Sequence, residues 1–256
     1  MGKFNINQFI CRSDNYGVII SDKNTGLTAS IDAPDAEIID QELIKNNLKL
    51  THLFITHKHL DHIEGIEYLK DKYGCTVIGP EKEKREIPLL DTTVIDEEYI
   101  DFSGSPIKII ETPGHTLGHI IYYFEQDDLL FAGDTLFLMG CGRVFEGTHK
   151  QMFESLEKIK KLPPNTTIYC GHEYSLANAK FVASIWPDNN NIKKRLHEIE
   201  SLRDQNKLTL PTLLDDELKT NLFLMSGNSL LKKKLDISDA IDEEIFSELR
   251  TKKDNF

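Results

Sequence analysis

A short histidine-rich segment, Thr56–His62, most limits what this chain can fold into. Its sequence is Thr-His-Lys-His-Leu-Asp-His, which places four potential metal ligands within six residues: His57, His59, Asp61 and His62. The segment ends an apolar run over residues 50–56 that predicts a buried strand. Imidazole and carboxylate groups together suit zinc, iron or manganese. The sequence therefore predicts a strand that delivers its last residues into a metal-binding loop.

The spacing inside this segment indicates two adjacent metal positions. His57 and His59 alternate and point one way, whereas Asp61 and His62 lie at the start of the next helix and point another way. A single ion cannot comfortably use all four ligands from so short a loop. The plainer interpretation is a charged turn in which Asp61 caps the helix. Three histidines and an acid at this spacing favour the metal site.

The overall charge and the cysteines limit the partners of the chain. Its 256 residues have a formal net charge of −12, which argues against a general nucleic-acid or anionic-membrane surface. An anionic substrate would need a local basic pocket. The four cysteines form no CxxC pair, and the sequence has neither a signal-peptide pattern nor an apolar run long enough for a bilayer. We expect a monomeric cytoplasmic protein with free, mostly buried thiols and no membrane or nucleic-acid partner.

Strand and helix patterns alternate in the first two thirds of the chain. Apolar runs and turn residues predict strands at 4–10, 17–21, 27–32, 50–56, 76–78, 107–111, 119–124, 129–132 and 166–170. Helices are predicted from Pro34, over 150–161, and from His62 to a cap at Gly74. The polar stretch 81–99 fits neither period.

The pattern of predicted elements changes after His172. Helical periods continue over 174–185, 192–206 and 238–250, while strand patterns disappear. Strands mixed with helices, followed by helices alone, predict an α/β or α+β domain and a helical appendage. We place these domains at residues 1–173 and 174–256.

Three later loops also follow predicted strands and end in ligand-type residues. His115 lies in a Pro-Gly turn, Asp134 follows Ala132-Gly133, and His172 follows Cys170-Gly171. Each residue alone has a plainer explanation, as a turn acid or a surface histidine. Together they add two histidines and an aspartate to the first cluster, which gives seven candidate ligands.

These seven residues, in this order, resemble the metallo-β-lactamase superfamily pattern HxHxDH followed by His, Asp and His. The resemblance implies an αββα sandwich whose loops gather around two divalent ions, with zinc preferred and iron or manganese as alternatives. It implies the following ligand sets: His57, His59 and His115 for one ion, Asp61, His62 and His172 for the other, and Asp134 as the bridge. His119 falls outside the pattern, and we interpret it as a residue that supports the ligands or the fold.

Five further segments resemble one family of that superfamily, glyoxalase II (hydroxyacylglutathione hydrolase). They are Asp14–Tyr16, Gly133–Phe137, Gly140–Arg143, Phe145–Thr148 and Cys170–Tyr174. The family hydrolyses S-D-lactoylglutathione to D-lactate and glutathione, the second step of methylglyoxal detoxification, and has a helical C-terminal domain. The resemblance implies that two metals supply a bridging hydroxide and polarise the thioester carbonyl. Asp61 and Asp134 would then act as catalytic residues that orient the hydroxide.

The glutathione part of such a substrate carries carboxylates, so an acidic protein must present local cations. The family's glutathione-binding residues correspond to Arg143, Phe145, Tyr174, Arg250 and Lys253. Arg143 replaces the usual Lys and keeps its charge, whereas Phe145 replaces the usual Tyr and lacks its hydroxyl. Residues 221–225 also lack the Pro and Arg of the family's NPFLR-type segment. These departures predict a changed substrate affinity or preference.

Other activities are possible on the same fold. A glutathione-persulfide dioxygenase would use one iron and fewer ligands, and it typically lacks the long helical appendage. A lactonase would leave the basic residues near the C-terminus without a role. Hydrolysis of RNA is opposed by the negative charge of the chain. A non-catalytic metal-binding module would need neither open coordination positions nor a cluster of substrate-binding cations.

Overall fold

The computed structural model describes residues 2–256, which form two compact units. Unit 1 comprises the described part of Met1–Glu111 together with Gly118–Gly133, and unit 2 comprises Thr112–Leu117 and Asp134–Phe256. The domain boundary that we placed after residue 173 stays a prediction. Among the described helices, none combines the length and the apolar character that a membrane span requires.

The first sheet of unit 1 contains six strands. They are β1 (Asn5–Cys11), β2 (Asn15–Ser21), β3 (Thr28–Ile31), β4 (His52–Phe54), β5 (Thr76–Pro80) and β6 (Thr92–Val94), and they lie side by side in chain order. The pairs from β1 to β3 are antiparallel, and those from β3 to β6 are parallel. Ile31 is the register partner of Phe54, so the residues after β3 and β4 emerge at the same edge of the sheet.

Three helices of unit 1 pack on one face of this sheet: α1 (Ala36–Lys45), α2 (Leu60–Ile63) and α3 (Ile66–Tyr73). Their apolar residues form one buried cluster with inward-facing residues of β1, β2, β4 and β5. The single helix predicted from His62 to Tyr73 is interrupted at Gly65, whose N–H donates to Ala33 O at 2.8 Å. The predicted cap at Gly74 is confirmed, with a φ of 66°.

A second set of strands in unit 1 packs on the other face of the sheet. It consists of β7 (Tyr99–Phe102), β8 (Ser105–Glu111), β9 (Ile120–Phe124) and β10 (Leu129–Phe131), with antiparallel pairing from β7 to β10. Phe54 of β4 contacts Phe102 and Tyr122, with ring centroids 5.4 and 5.3 Å apart. The Tyr122 hydroxyl donates to Ile55 O at 2.8 Å. These aromatic contacts form the core between the two layers of strands.

Unit 2 is mainly helical. Its strands form two short antiparallel pairs: β11 (Leu136–Phe137) with β12 (Gly140–Cys141), and β13 (Thr167–Tyr169) with β14 (Thr212–Leu213). Its helices are α4 (His149–Ile159), α5 (Ser175–Ile185), α6 (Asn190–Asp204), α7 (Leu214–Thr220), α8 (Ser229–Lys234) and α9 (Asp242–Asp254). Helix α4 begins with a capping box in which Thr148 and Gln151 bond to each other's backbone N–H.

Several short elements differ from the sequence predictions. The predicted strand over 50–56 is shorter, because β4 ends at Phe54 and residues 55–59 form an irregular segment. The stretch 81–99 contains a 3₁₀ turn at Glu81–Glu83, all of β6 and the start of β7. Helices α7 and α8 were not predicted, and β14 contradicts the expected absence of strands after His172. Each of these elements has seven residues or fewer, too few to display a clear period.

Candidate metal centre

Four candidate ligands of unit 1 converge in the segment after β4. His57 Nε2 and His59 Nδ1 are 3.1 Å apart, and Asp61 Oδ2 is 3.6 Å from His62 Nε2. The rings of His57 and His62 lie 4.1 Å apart between centroids. Because β4 ends early and α2 begins at Leu60, the irregular residues between them can direct the His57–His59 pair towards the Asp61–His62 pair. The structure thus brings together the four residues that the sequence grouped.

Asp32 orients two of these imidazole rings and was not predicted as a site residue. Its Oδ2 lies 2.8 Å from His62 Nδ1 and accepts a hydrogen bond from Thr56 Oγ1 at 2.9 Å. Since the Thr56 hydroxyl donates to Asp32, it accepts from His57 Nδ1, 2.9 Å away. Both histidines then keep Nε2 as a lone-pair nitrogen, which is the form that binds a metal.

Two further side chains hold the backbone around the ligands of unit 1. Asn15 Nδ2 donates to Asp61 Oδ2 at 2.9 Å and to Asp61 O at 3.1 Å. The buried Glu83 carboxylate accepts from Lys58 N–H at 2.7 Å and from Gly118 N–H at 3.0 Å. Asn15 belongs to the Asp14–Tyr16 motif, but neither Asn15 nor Glu83 was predicted as a site residue. The hydrogen bonds of both side chains link residues far apart in the chain, so no local sequence pattern predicts them.

His119 lies against His57, with ring centroids 4.8 Å apart. Gly133 follows β10 with a φ of +46°, and a Cβ built at this position would be 2.7 Å from His119 Nε2. Only glycine therefore allows the chain to pass this close to the ring. The supporting role of His119 stays an interpretation.

The three candidate ligands of unit 2 form a second cluster. Asp134 Oδ2 lies 3.3 Å from His115 Nε2 and 3.3 Å from His172 Nε2, and all three residues are buried. His115 Nδ1 lies 2.8 Å from the carbonyl of Arg143, so this nitrogen is the donor and Nε2 is the lone-pair nitrogen. A Cβ at Gly142 would be 1.9 Å from Asp134 O, which requires glycine beside the acid.

The β11–β12 hairpin joins Asp134 to Arg143, and side chains of helix α7 and of the residue after it hold the hairpin backbone. Asn221 Nδ2 donates to Phe137 O at 3.2 Å and to Gly140 O at 2.9 Å. Glu217 Oε2 accepts from Met139 N–H at 2.7 Å, and burial raises the pKa of Glu217 to about 7. Asn221 is the first residue of the segment that lacks the Pro and Arg of the NPFLR type. The hydrogen bonds of its side-chain amide explain why an asparagine stands at this position. Nothing in the structure explains the replacement of the Pro and the Arg.

The predicted substrate residues of unit 2 differ in exposure. The guanidinium of Arg143 lies 5.9 Å from the centre of the Phe145 ring, and both side chains are well exposed. Tyr174 stacks on His172, with centroids 4.7 Å apart and an interplanar angle of 4°. Arg250 is only 4% exposed, although it lies in the basic stretch near the C-terminus.

Arg250 and Lys253 have protein partners on helix α9 and beyond it. Arg250 Nη1 donates to Cys141 O at 2.9 Å, and its Nη2 donates to Asp254 Oδ1 at 2.8 Å. Lys253 Nζ donates to Ala177 O at 3.2 Å. Burial lowers the pKa of Lys253, and the nearby Arg250 charge lowers it further. Asp254 was not predicted as a site residue, although it follows Arg250 at the i,i+4 spacing of a helical ion pair.

All four cysteines are buried free thiols, whereas the sequence predicted free thiols that are mostly buried. Burial raises the pKa of Cys11 to about 12 and that of Cys141 to about 11. Their thiols therefore stay protonated at neutral pH, and the structure gives them no nucleophilic role.

Comparison with known proteins covers nearly the whole chain. The family model described as "Metallo-beta-lactamase superfamily" matches residues 29–172, and the model described as "Hydroxyacylglutathione hydrolase C-terminus" matches residues 173–256. Proteins named hydroxyacylglutathione hydrolase from Brucella ovis and Brucella abortus are each 49% identical over 254 residues, which is 99% of this chain and 99% of each relative.

A solved structure supports the same fold. The crystal structure of ETHE1 from Myxococcus xanthus matches with a TM-score of 0.68 and 24% identity, covering 96% of this chain and 90% of that one. At this identity the likeness shows the fold alone. The predicted fold class, an α/β metallo-β-lactamase sandwich with a helical C-terminal part, is confirmed.

Proposed function

Because the chain belongs to the hydroxyacylglutathione hydrolase (glyoxalase II) family of the metallo-β-lactamase superfamily, we propose that it hydrolyses S-D-lactoylglutathione to D-lactate and glutathione. The observation that carries this proposal is the match over residues 173–256, since this part distinguishes the family from other enzymes of the same fold. The chain is accordingly a hydrolase of the thioesterase class. The fold and the ligand clusters alone would suit several activities.

The His/Asp clusters fit divalent metal ions. Their donors are imidazole nitrogens and carboxylate oxygens, and hydrogen bonds to the second ring nitrogen of His57, His62 and His115 leave the other nitrogen for an ion. We propose two ions, zinc in preference to iron or manganese, bound by His57, His59, Asp61, His62, His115, Asp134 and His172. When bound, such ions lower the pKa of water and polarise a carbonyl group.

The residues of the chain supply orientation and charge. Asp134, at equal distances from two imidazole nitrogens in unit 2, is suited to bridging two cations. Asp61 is held through its carboxylate and carbonyl by Asn15, so its second oxygen keeps a fixed direction. Neither acid has to protonate the leaving group, because a glutathione thiolate leaves readily. We propose Asp61 and Asp134 as the catalytic carboxylates that orient the attacking water.

The proposed substrate residues of unit 2 offer cations and aromatic faces to the glutathione part. Three basic residues form what we call the basic cluster: Arg143, Arg250 and Lys253. Cationic side chains of this kind would bind the carboxylates of glutathione, while Tyr174 and Phe145 offer aromatic surface. The buried Arg250 donates one hydrogen bond to the backbone carbonyl of Cys141. Because a guanidinium has donors in several directions, the same side chain can stabilise the fold and also bind a substrate carboxylate.

Lys253→Ala is expected to raise KM for S-D-lactoylglutathione by about 3- to 10-fold and leave kcat nearly unchanged, because the lysine charge contributes uniform binding energy. Steady-state kinetics check this expectation. Lys252→Ala is the matched control, since the neighbouring lysine pairs with Glu248 at 3.0 Å. A fall in kcat at constant KM for Lys253→Ala, or an equal effect of both variants, would contradict the proposed role.

Phe145→Tyr restores the hydroxyl that is usual in the family, and the ring is 60% exposed, so the added oxygen has room. We expect KM to fall by about 2- to 5-fold, as one hydrogen bond to the substrate allows. Isothermal titration with glutathione gives an independent affinity. An unchanged KM would mean that no substrate group lies within reach of this position.

A side-by-side assay separates the proposed activity from its rivals. The metal-loaded protein is incubated with S-D-lactoylglutathione, with a lactone and with glutathione persulfide under oxygen. We expect the thioester to be hydrolysed with a kcat/KM at least about 100-fold above that for the lactone, and no oxygen consumption. Preferred turnover of either other substrate would reject the thioesterase proposal. The metal identity, a monomeric state and a cytoplasmic location stay predictions from the sequence.

A further inference from the structure

An acidic side chain lies within the basic cluster. Asp254, the last residue of α9, accepts a hydrogen bond through Oδ1 from Arg143 Nε at 3.3 Å. The same oxygen accepts from Arg250 Nε at 3.1 Å and from Arg250 Nη2 at 2.8 Å. One protein carboxylate oxygen thus occupies donor groups of two arginines that we propose to bind the carboxylates of the substrate.

The two arginines have other contacts that fix their positions. Arg250 is buried, donates to Cys141 O and lies 5.3 Å from the centre of the Phe223 ring. Arg143 has its backbone carbonyl bonded by His115 Nδ1, and its guanidinium lies over Phe145. Loss of the Asp254 charge would therefore release donor groups without releasing the side chains that bear them.

The position of Asp254 in its helix is electrostatically unfavourable. A negative charge in the last turn of α9 opposes the helix dipole, and the other charged residues of that turn are Lys252 and Lys253. The Asp254 side chain is 31% exposed. The two arginines hold this carboxylate in place. Because the carboxylate is partly exposed, water can solvate it when a ligand carboxylate replaces it beside the arginines.

We propose that Asp254 is an internal competitor of the substrate carboxylate and thereby limits the affinity of the site for glutathione derivatives. This inference rests on the proposed function of the basic cluster. The cluster combines three cations with one carboxylate, so neutralising the carboxylate strengthens the attraction for an anionic ligand. It also leaves the arginine donors to the ligand alone.

Asp254→Asn tests this role, because it keeps the size of the side chain and one acceptor oxygen but removes the charge. In the metal-loaded enzyme we expect KM for S-D-lactoylglutathione to fall about 3-fold at low ionic strength, with kcat unchanged. The difference from wild type should shrink at 0.5 M salt, to roughly 1.5-fold, because salt screens exposed charges. A change confined to folding would not give this salt-dependent separation of KM from kcat.

Glu248→Gln is the matched control. It removes the same charge from the same helix, but its carboxylate pairs with Lys252 rather than with the arginines, so KM should stay at the wild-type value. An unchanged or higher KM in Asp254→Asn overturns the inference, as does an equal fall in both variants.

Binding of S-methylglutathione, which cannot be hydrolysed, keeps the two proposals distinguishable. Its Kd should be about 3-fold lower for Asp254→Asn than for wild type. If wild type fails to hydrolyse the thioester but this ratio holds, the proposed activity is wrong and the role of Asp254 stands. If the thioester is hydrolysed but neither KM nor Kd shifts, only the role of Asp254 is wrong. If S-methylglutathione binds to neither protein, the proposed role of Asp254 is rejected as well.

Discussion

Replacement of Asp134 by Ala should reduce thioester hydrolysis by at least about 100- to 1,000-fold and lower the bound metal content. The reason is local to unit 2: the variant removes the oxygen that lies 3.3 Å from both His115 Nε2 and His172 Nε2. Metal analysis of the purified protein and steady-state kinetics measure the two effects. Full activity with two bound metals would reject the bridging role.

Thermal unfolding adds a readout that separates a lost ligand from a lost fold. Wild type should gain stability from added metal by mass action, whereas Asp134→Ala should gain much less. Without metal, the variant should unfold at or above the wild-type temperature, because it no longer buries a carboxylate. Asp204→Ala, which removes an exposed acid at the end of α6, is the control and should keep both activity and the metal response.

Replacement of Asp32 by Ala should reduce metal affinity or kcat/KM by about 10- to 100-fold, although Asp32 is not one of the proposed ligands. This acid accepts from Thr56 N–H at 2.7 Å, from the Thr56 hydroxyl and from His62 Nδ1. Without the Asp32 carboxylate, the imidazole of His62 can rotate, and the buried backbone N–H of Thr56 loses this hydrogen-bond acceptor. Titration of the metal-free protein with zinc measures the loss.

Two variants of Thr56 separate orientation from general stability. Thr56→Ser keeps the hydroxyl that links His57 to Asp32 and should retain most of the affinity for zinc. Thr56→Val has a similar volume but no hydroxyl, and it should lose about 5- to 10-fold. Equal affinities for the two variants would mean that the link through Thr56 does not orient His57.

The candidate ligands could be found without a structure because each of them lies in a loop that follows a predicted strand. Parallel strands present their carboxyl ends at one edge, so a ligand-type residue after a predicted strand is a candidate whatever follows it. His57 and His59 follow β4, which pairs in parallel with β3 and β5. Asp134 follows β10, which pairs antiparallel with β9, so its prediction rests only on its place after a predicted strand. Asp32 obeys the same rule at the end of β3, but it occurs in a turn-rich segment where an acid has an ordinary explanation.

Other features depend on contacts that no local pattern predicts. The burial of Arg250 follows from its bond to Cys141 O, more than a hundred residues earlier, while the sequence shows only a basic segment near the C-terminus. Glu83 binds Lys58 and Gly118 from a polar stretch without a period. Helix α7 is too short to have an amphipathic signature, although its Glu217 and the residue that follows the helix, Asn221, hold the hairpin after Asp134.

Hydrolysis of S-D-lactoylglutathione by the purified, metal-loaded protein is the decisive measurement. Release of D-lactate and of free thiol is followed in the same reaction, before and after removal of metal with a chelator. We expect equal amounts of the two products, loss of activity with the metal, and its return when zinc is added. An unchanged thioester in the presence of two bound metals would contradict the proposed function.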